Sequence, residues 1–119
     1  MSACNCGNSY DLCLHQGATF NKRITWKSDG ALVNLTNWTA RMQIRATTEA
    51  ATALIELTTA NGRIALGGAA GTITLTISAT DTAALTAGRG VYDLELVSPA
   101  GLVTNLMGGV VTILRNITR

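Results

Sequence analysis

The chain has 119 residues, enough for one compact domain, of which 47% are apolar and 4% aromatic, with a formal net charge of +2. Nine lysines and arginines are too few for the many phosphate contacts of sequence-independent nucleic-acid binding, so we expect no nucleic-acid partner. No apolar run reaches the roughly 18 residues of a membrane-spanning helix, and no secretory signal opens the chain. We therefore expect that the chain does not associate with a membrane and that it is synthesised in a cytoplasm.

Residues 1–8 are small and polar, which predicts a flexible N-terminal arm that carries Cys4 and Cys6. Residues 9–119 are predicted to form a single domain. Eighteen threonines and twelve glycines favour strands and turns over surface helices in that domain.

Apolar residues recur at every second position from Ser9 onward, and this period is typical of half-buried strands. The first strand is predicted to turn Tyr10, Leu12 and Leu14 inward and Asp11, Cys13 and His15 outward. A second strand is predicted to turn Phe20, Ile24 and Trp26 inward. Ser28-Asp29-Gly30-Ala31 then predicts a tight turn into a short strand at 32–35. Residues 38–45 show the cleanest alternation in the chain.

The second half predicts strands at 53–58 and 63–66 joined as a hairpin by Asn61-Gly62, then a flexible glycine-rich link at 67–71 and a strand at 72–77. Residues 78–85 are the one helical candidate, a single turn that we expect Thr80 to cap, with Asp81 near its positive end. Three more strands are predicted at 91–97, 102–107 and 109–114.

Short strands at this spacing predict an all-β fold, an antiparallel sandwich of about eight strands with one short helical turn, in preference to a closed barrel. The predicted core consists of the large apolar residues on the inward phase of their strands: Trp26, Trp38, Met42, Ile44, Ile73, Leu75, Tyr92, Leu94 and Leu96.

Groups that could perform catalysis are scattered along the chain. His15 is the single histidine, and Ser9 lies too far along the same strand to reach it. Asp93 and Glu95 share the outward face of one strand about 7 Å apart. We interpret them as a solvated face or as ion-pair partners of Arg41 or Arg45 across the strands, so the sequence predicts no enzyme and no cofactor.

The cysteines leave three interpretations open. Cys4, Cys6, Cys13 and His15 could form a tetrahedral zinc site, although the spacing is not the usual C-x₂-C of a zinc knuckle. An odd number of thiols near an exposed arm also suits interchain disulfides, and we predict that at least one of Cys4, Cys6 and Cys13 bonds to another chain. The third interpretation is that all three stay free thiols.

Several segments resemble one family. QGATF at 16–20, ITWK at 24–27 and LTNWTARMQIR at 35–45 resemble the opening of small structural proteins of tailed-bacteriophage virions. The later part of this family is similar to the segments 71–80 and 91–96, to Gly108-Gly109 and to residues 117–119 of this chain. The resemblance covers residues 10–119 and implies an immunoglobulin-like sandwich, similar also to the N-terminal domain of baseplate upper proteins. Asn37, where the family usually has Gly, and the cysteine-bearing arm depart from the pattern.

The resemblance implies a non-enzymatic virion component, an adaptor of the tail or baseplate that anchors fibres or bridges subunits. Its partners would be other virion proteins (tail, baseplate or fibre subunits), and it would be present in multiple copies in a symmetric assembly built in the host cytoplasm. A capsid decoration (cement) protein is the alternative, and a small metal-binding regulatory module is a second alternative.

Overall fold

A computed structural model of the protein describes residues 8–117. Within this range the strands are β1 (Asn8–Ser9), β2 (Leu12–His15), β3 (Phe20–Thr25), β4 (Lys27–Ser28), β5 (Ala31–Leu32), β6 (Thr39–Arg45), β7 (Ile55–Thr58), β8 (Ile64–Leu66), β9 (Thr72–Ile77), β10 (Gly88–Val97) and β11 (Val103–Leu114). A 3₁₀ helix, η1 (Gly68–Ala70), precedes β9, and a short α-helix, α1 (Ala79–Ala83), follows it. No helix in the described range is long and apolar enough to cross a membrane.

The strands form two main sheets. Sheet A has the order β1-β11-β10-β6-β7, with β2 also on β11, and sheet B has the order β3-β9-β8. These orders match the G-F-C-C′ and B-E-D sheets of an immunoglobulin-like sandwich, so the predicted all-β fold class is confirmed. The sandwich is not wholly antiparallel, because β1 and β2 both pair parallel to β11. Neither β3 nor β10 contains a cysteine, so the inter-sheet disulfide of antibody domains has no counterpart.

The core lies between the two sheets and follows the alternation seen in the sequence. Seven of the nine predicted core residues are buried: Met42, Ile44, Ile73, Leu75, Tyr92, Leu94 and Leu96. Trp26 and Trp38 are only partly buried and meet edge to face, with ring centroids 5.7 Å apart. They lie at strand ends, Trp26 after β3 and Trp38 before β6, so their rings cover the end of the core.

The tight turn at Ser28-Asp29-Gly30-Ala31 is confirmed as the link between β4 and β5. Asp29 and Gly30 have φ of 53° and 82°, the positive values that a two-residue hairpin turn requires. The following strand stops at Leu32 instead of continuing to residue 35. Asn37 takes the left-handed φ of 65°, which Asn tolerates in place of Gly.

The turn at Asn61-Gly62 was predicted to close a hairpin, and that prediction is wrong. β7 pairs with β6 in sheet A, whereas β8 pairs with β9 in sheet B, so the turn carries the chain from one sheet to the other. The Asn61 Oδ1 atom accepts hydrogen bonds from the amides of Thr58 and Arg63, both at 3.0 Å. The side chain therefore satisfies backbone donors that a hairpin would have paired across its ladder.

The two strands predicted at 102–107 and 109–114 are one continuous strand, β11. A register shift opposite Leu94 and Glu95 leaves Leu106 as an extra residue, because Leu94 pairs with Met107 and Glu95 with Asn105. This bulge changes which face each residue takes, so Met107 is buried and Asn105 is exposed.

The segment 67–80 differs from its prediction at two points. Ser78, not Thr80, caps α1, because its Oγ accepts a hydrogen bond from the amide of Asp81 at 3.2 Å. The predicted flexible link at 67–71 contains η1. Its Gly68 carbonyl accepts from the Leu35 amide at 2.9 Å, which ties this segment to the loop before β6.

Candidate functional site

Sheet A has more strands than sheet B, and its outward side carries exposed side chains. Along β6 and β10 the residues that alternate with the core point away from sheet B. We call these outward residues the sheet A face: Glu56 and Thr58 on β7; Thr39, Arg41, Gln43 and Arg45 on β6; Val91, Asp93, Glu95 and Val97 on β10; Asn105, Gly108 and Val110 on β11.

An ion pair crosses the centre of the sheet A face. Arg41 and Glu95 are paired in register, and Arg41 Nε donates to Glu95 Oε1 at 2.8 Å. This confirms the predicted cross-strand pairing for Glu95. Asp93 instead accepts from Asn105 Nδ2 at 3.2 Å, because its neighbour on β6 is Gln43 rather than an arginine.

Further hydrogen bonds extend this network to β7 and the following loop. Gln43 Nε2 donates to Glu56 Oε2 at 2.9 Å, and Arg45 Nη2 donates to Gln43 Oε1 at 2.6 Å. The other Arg45 nitrogen, Nη1, donates to the carbonyl of Ala50 at 2.7 Å. The polar side chains of the face therefore form a set of hydrogen bonds that spans β7, β6 and β10.

The charges of the face are arranged in two columns. The outward positions of β6 carry Arg41 and Arg45, and those of the β10 stretch that pairs with β6 (91–97) carry Asp93 and Glu95, while Arg89 is exposed on the same side of β10 beyond that stretch. The four side chains of the columns, with Met42 and Gln43, line a shallow open depression of about 330 Å³. A second shallow depression of about 230 Å³ adjoins it beside Val91 and Thr48. Neither encloses its contents, so the face suits a broad contact better than a small molecule.

The groups considered for catalysis are not brought together in the described residues. β1 places Ser9 opposite Gly108, and β2 places His15 opposite Leu114. These positions are six residue steps apart along β11, about 20 Å of strand. In the described part of the chain no three His, Cys, Asp or Glu residues are close enough to hold a metal ion.

Cys13 and His15 lie on the exposed side of β2, as their alternation with Leu12 and Leu14 predicted. Cys13 is in no disulfide with another described residue. Cys4 and Cys6, and the rest of the predicted arm up to residue 7, lie outside the described residues, while Asn8 already belongs to β1. The zinc, disulfide and free-thiol interpretations all remain predictions.

The edge of sheet A next to the face contains a contact that the sequence analysis missed. Tyr10 was predicted to point inward, but it is 43% exposed. Between β1 and β2 the chain leaves the ladder, and the Asp11 Oδ1 atom accepts from the Val110 amide at 3.0 Å. The hydroxyl of buried Tyr92 donates to the Tyr10 carbonyl, which fixes this segment to β10.

Gly109 makes this contact possible. A Cβ at position 109 would lie 2.8 Å from both the Tyr10 carbonyl oxygen and Asp11 Oδ1. Burial raises the pKa of Tyr92 well above its usual range, and the nearby Asp11 charge adds to the shift, so the phenol keeps its proton. A glycine inside a strand indicates close approach of another backbone, and Gly108-Gly109 was the signal available in the sequence.

Comparison with known proteins adds little to this geometry. No protein-family model and no curated protein matches the sequence. Among solved structures, the chain is similar to the extracellular domains of the voltage-gated sodium channel beta4 subunit, whose parallel homodimers explain a role in cell–cell adhesion. The identity is 13% and the TM-score 0.48, over 98% of this chain and 100% of that one. Neither value is high enough to transfer a function.

Proposed function

We propose that the chain is a non-enzymatic structural protein of a tailed-bacteriophage virion, an adaptor at the tail or baseplate that binds other chains through the sheet A face. The network of Arg41, Gln43, Arg45, Asp93 and Glu95 is the observation that carries the binding role. The placement in a virion is supported by the sequence resemblance of residues 10–119.

A protein-binding role suits the face for a physical reason. Ordering long side chains at an interface costs about 0.5–1.5 kcal/mol for each one immobilised. Arg45 is already held by Gln43 and by the Ala50 carbonyl, and Arg41 is held by Glu95. Much of the free-energy cost of ordering these side chains is therefore incurred when the chain folds, so a partner chain would bind a polar surface that is already ordered.

The experiment is to locate the chain in purified phage particles. Particles from lysates in which the chain is made at its natural level are analysed by peptide mass spectrometry and by cryo-electron microscopy. We expect copies in symmetric positions along the tail or at the baseplate. Copies on the head would replace the adaptor role with the capsid-decoration alternative. Absence of the chain from particles would refute the virion role.

A matched pair of variants tests the surface. Arg41→Glu reverses a charge on the sheet A face, whereas Arg23→Glu reverses an exposed charge on the outward side of β3 in sheet B. We expect Arg41→Glu to lower incorporation into particles and Arg23→Glu to leave it unchanged, with both variants folded by circular dichroism. Equal incorporation of the two would show that the sheet A face is not the attachment surface.

The cysteines are tested on the same particles. Particles are compared on a non-reducing gel and a reducing gel, and we expect the unaltered chain to form an adduct with another chain that disappears on reduction. Cys→Ser variants at positions 4, 6 and 13 test which cysteine forms the adduct. A monomer-sized band under both conditions would refute the interchain disulfide. Stoichiometric zinc by elemental analysis would then support the site formed by Cys4, Cys6, Cys13 and His15.

A further inference from the structure

The two charge columns of the sheet A face make the face complementary to itself. β6 carries only positive charge at its outward positions, through Arg41 and Arg45, and the facing stretch of β10 carries only negative charge, through Asp93 and Glu95. Two faces with this pattern attract when the positive column of one lies over the negative column of the other. A two-fold axis that runs along the strands between β6 and β10 produces that arrangement.

We infer that the partner of the sheet A face is a second copy of this chain, packed face to face about such an axis; this rests on the binding role proposed above. The axis exchanges β6 and β10 but keeps each residue at its height along the strands. Arg41 of one copy then lies over Glu95 of the other, because the two residues are paired in register. Gln43 lies over Asp93 for the same reason.

The hydrogen-bonding groups at these heights suit the arrangement. The Gln43 amide uses one N–H on Glu56 and has a second, and Asp93 uses Oδ2 on Asn105 and has a second carboxylate oxygen. Arg41 uses Nε on Glu95 of its own chain, which leaves its terminal nitrogens for a carboxylate of the partner. The ion pair within each chain thus becomes a four-charge cluster across the interface.

The other face-to-face arrangement is disfavoured by the same charges. A two-fold axis that crosses the strands at the height of Gln43 would place β6 over β6, with Arg41 facing Arg45 in two symmetric copies. Like charges so placed oppose association. The charge pattern therefore favours the first arrangement, in which each strand runs parallel to its own counterpart in the second copy. The aligned packing of twisted sheets at about −30° allows this arrangement.

The size of the face limits the surface that the dimer can bury. Five strands about 4.8 Å apart, each with about seven residues of about 3.3 Å, give a projected area of roughly 550 Å². A standard interface buries about 800 Å² of accessible surface per partner. The dimer is therefore at the small, reversible end of the range, and its charge cluster makes it sensitive to salt.

The test uses two variants of the full chain, each of which is expected to self-associate weakly, whereas a mixture of the two is expected to associate. At the height of the ion pair, Arg41→Glu leaves only negative charge and Glu95→Arg only positive charge, and both break the pair within the chain. We expect each variant to self-associate roughly a hundredfold more weakly than the unaltered chain, since the symmetry counts each reversal twice. Mixed in equal amounts, the two should associate, because positions 41 and 95 of one variant then face the opposite charge at positions 95 and 41 of the other.

Association is measured by sedimentation velocity from about 1 μM to about 1 mM, with reductant present to exclude disulfides. Arg23→Glu is the control and should associate like the unaltered chain. If a reversed variant does not fold by circular dichroism, Arg41→Gln and Glu95→Gln replace the pair. Each should weaken association, and mixing them should restore part of it, because one of the two interchain pairs of Arg41 with Glu95 re-forms.

Three results would overturn the inference: an unaltered chain that stays monomeric over the whole range, reversed variants that do not recover on mixing, or a control as weak as Arg41→Glu. Failure of this inference is distinguishable from failure of the proposed function. A chain that is monomeric in solution but present in particles refutes the second copy alone. A chain that dimerises but is absent from particles refutes the virion role alone.

Discussion

The hydroxyl of Tyr92 joins the first strands of the chain to the centre of sheet A. Tyr92 lies on β10 with its ring in the core, and its hydroxyl donates to the Tyr10 carbonyl between β1 and β2. Tyr92→Phe removes that hydroxyl and leaves the ring, so it tests the hydrogen bond without opening a cavity in the core.

The expected cost follows from burial. Tyr92 is 5% exposed, so water cannot easily replace the lost donor. Leaving a buried polar group unpaired costs about 1–3 kcal/mol, and the Phe ring itself packs as well as the Tyr ring. We expect a loss of about 1–2 kcal/mol, which lowers the Tm of a domain of this size by about 4–10 °C.

Tyr10→Phe is the matched control, because it removes the same atom from an exposed ring. The Tyr10 hydroxyl accepts from Lys22 Nζ at the surface, where water can replace it, so we expect a change of less than about 0.5 kcal/mol. Thermal and urea unfolding, followed by circular dichroism, measure both variants. Equal stability of Tyr92→Phe and Tyr10→Phe would show that the hydroxyl does not hold the first strands.

The same tyrosine predicts a dependence on alkaline pH. Burial raises the pKa of Tyr92 in the folded state, so above about pH 10 the unfolded chain loses a proton that the folded chain keeps. The stabilising contribution is complete below that pH and is lost as pH rises towards the folded pKa. The unaltered chain should therefore lose stability above about pH 10 more steeply than Tyr92→Phe does.

Three further perturbations follow from the packing. Gly109→Ala should cost about 2–3 kcal/mol in urea unfolding, because the new Cβ displaces the Tyr10 backbone and breaks its hydrogen bonds; a melting curve like that of the parent would contradict it. Trp38→Ala should cost about 2–3 kcal/mol, below the 3–5 or so of a fully buried Trp, because the ring is only partly buried. The Arg63 hydrogen bond, together with that from Ser78, lowers the pKa of Asp81, so that contribution is present above about pH 4 and lost below it. Asp81→Asn should remove this acid-sensitive part of a Tm-against-pH profile, and an unchanged profile would show that the pair adds nothing.

In β6, β9 and β10 the sequence alone determined which residues face the core. In β6, β9 and β10 the side chains alternate strictly, and sheet geometry turns every second one to the same side. The turn at Asp29-Gly30 was equally accessible, since only a few residue types adopt two positive φ values in succession. Arg41 and Glu95 both lie at outward positions of their strands, so an ion pair between them could be predicted for neighbouring strands.

Only the tertiary structure decided which strands pair and where the chain changes sheet. Asn61-Gly62 has the composition of a hairpin turn, but the buried faces of β7 and β8 belong to different sheets, and the Asn61 side chain replaces the missing ladder bonds. The bulge at Leu106 and the parallel pairing of β1 with β11 depend likewise on contacts between distant segments. Periodicity is local, because it reflects the backbone geometry of a few residues, whereas strand partners are selected by packing across the whole core. The charge columns of the sheet A face follow from that selection, since only the pairing of β6 with β10 places them side by side.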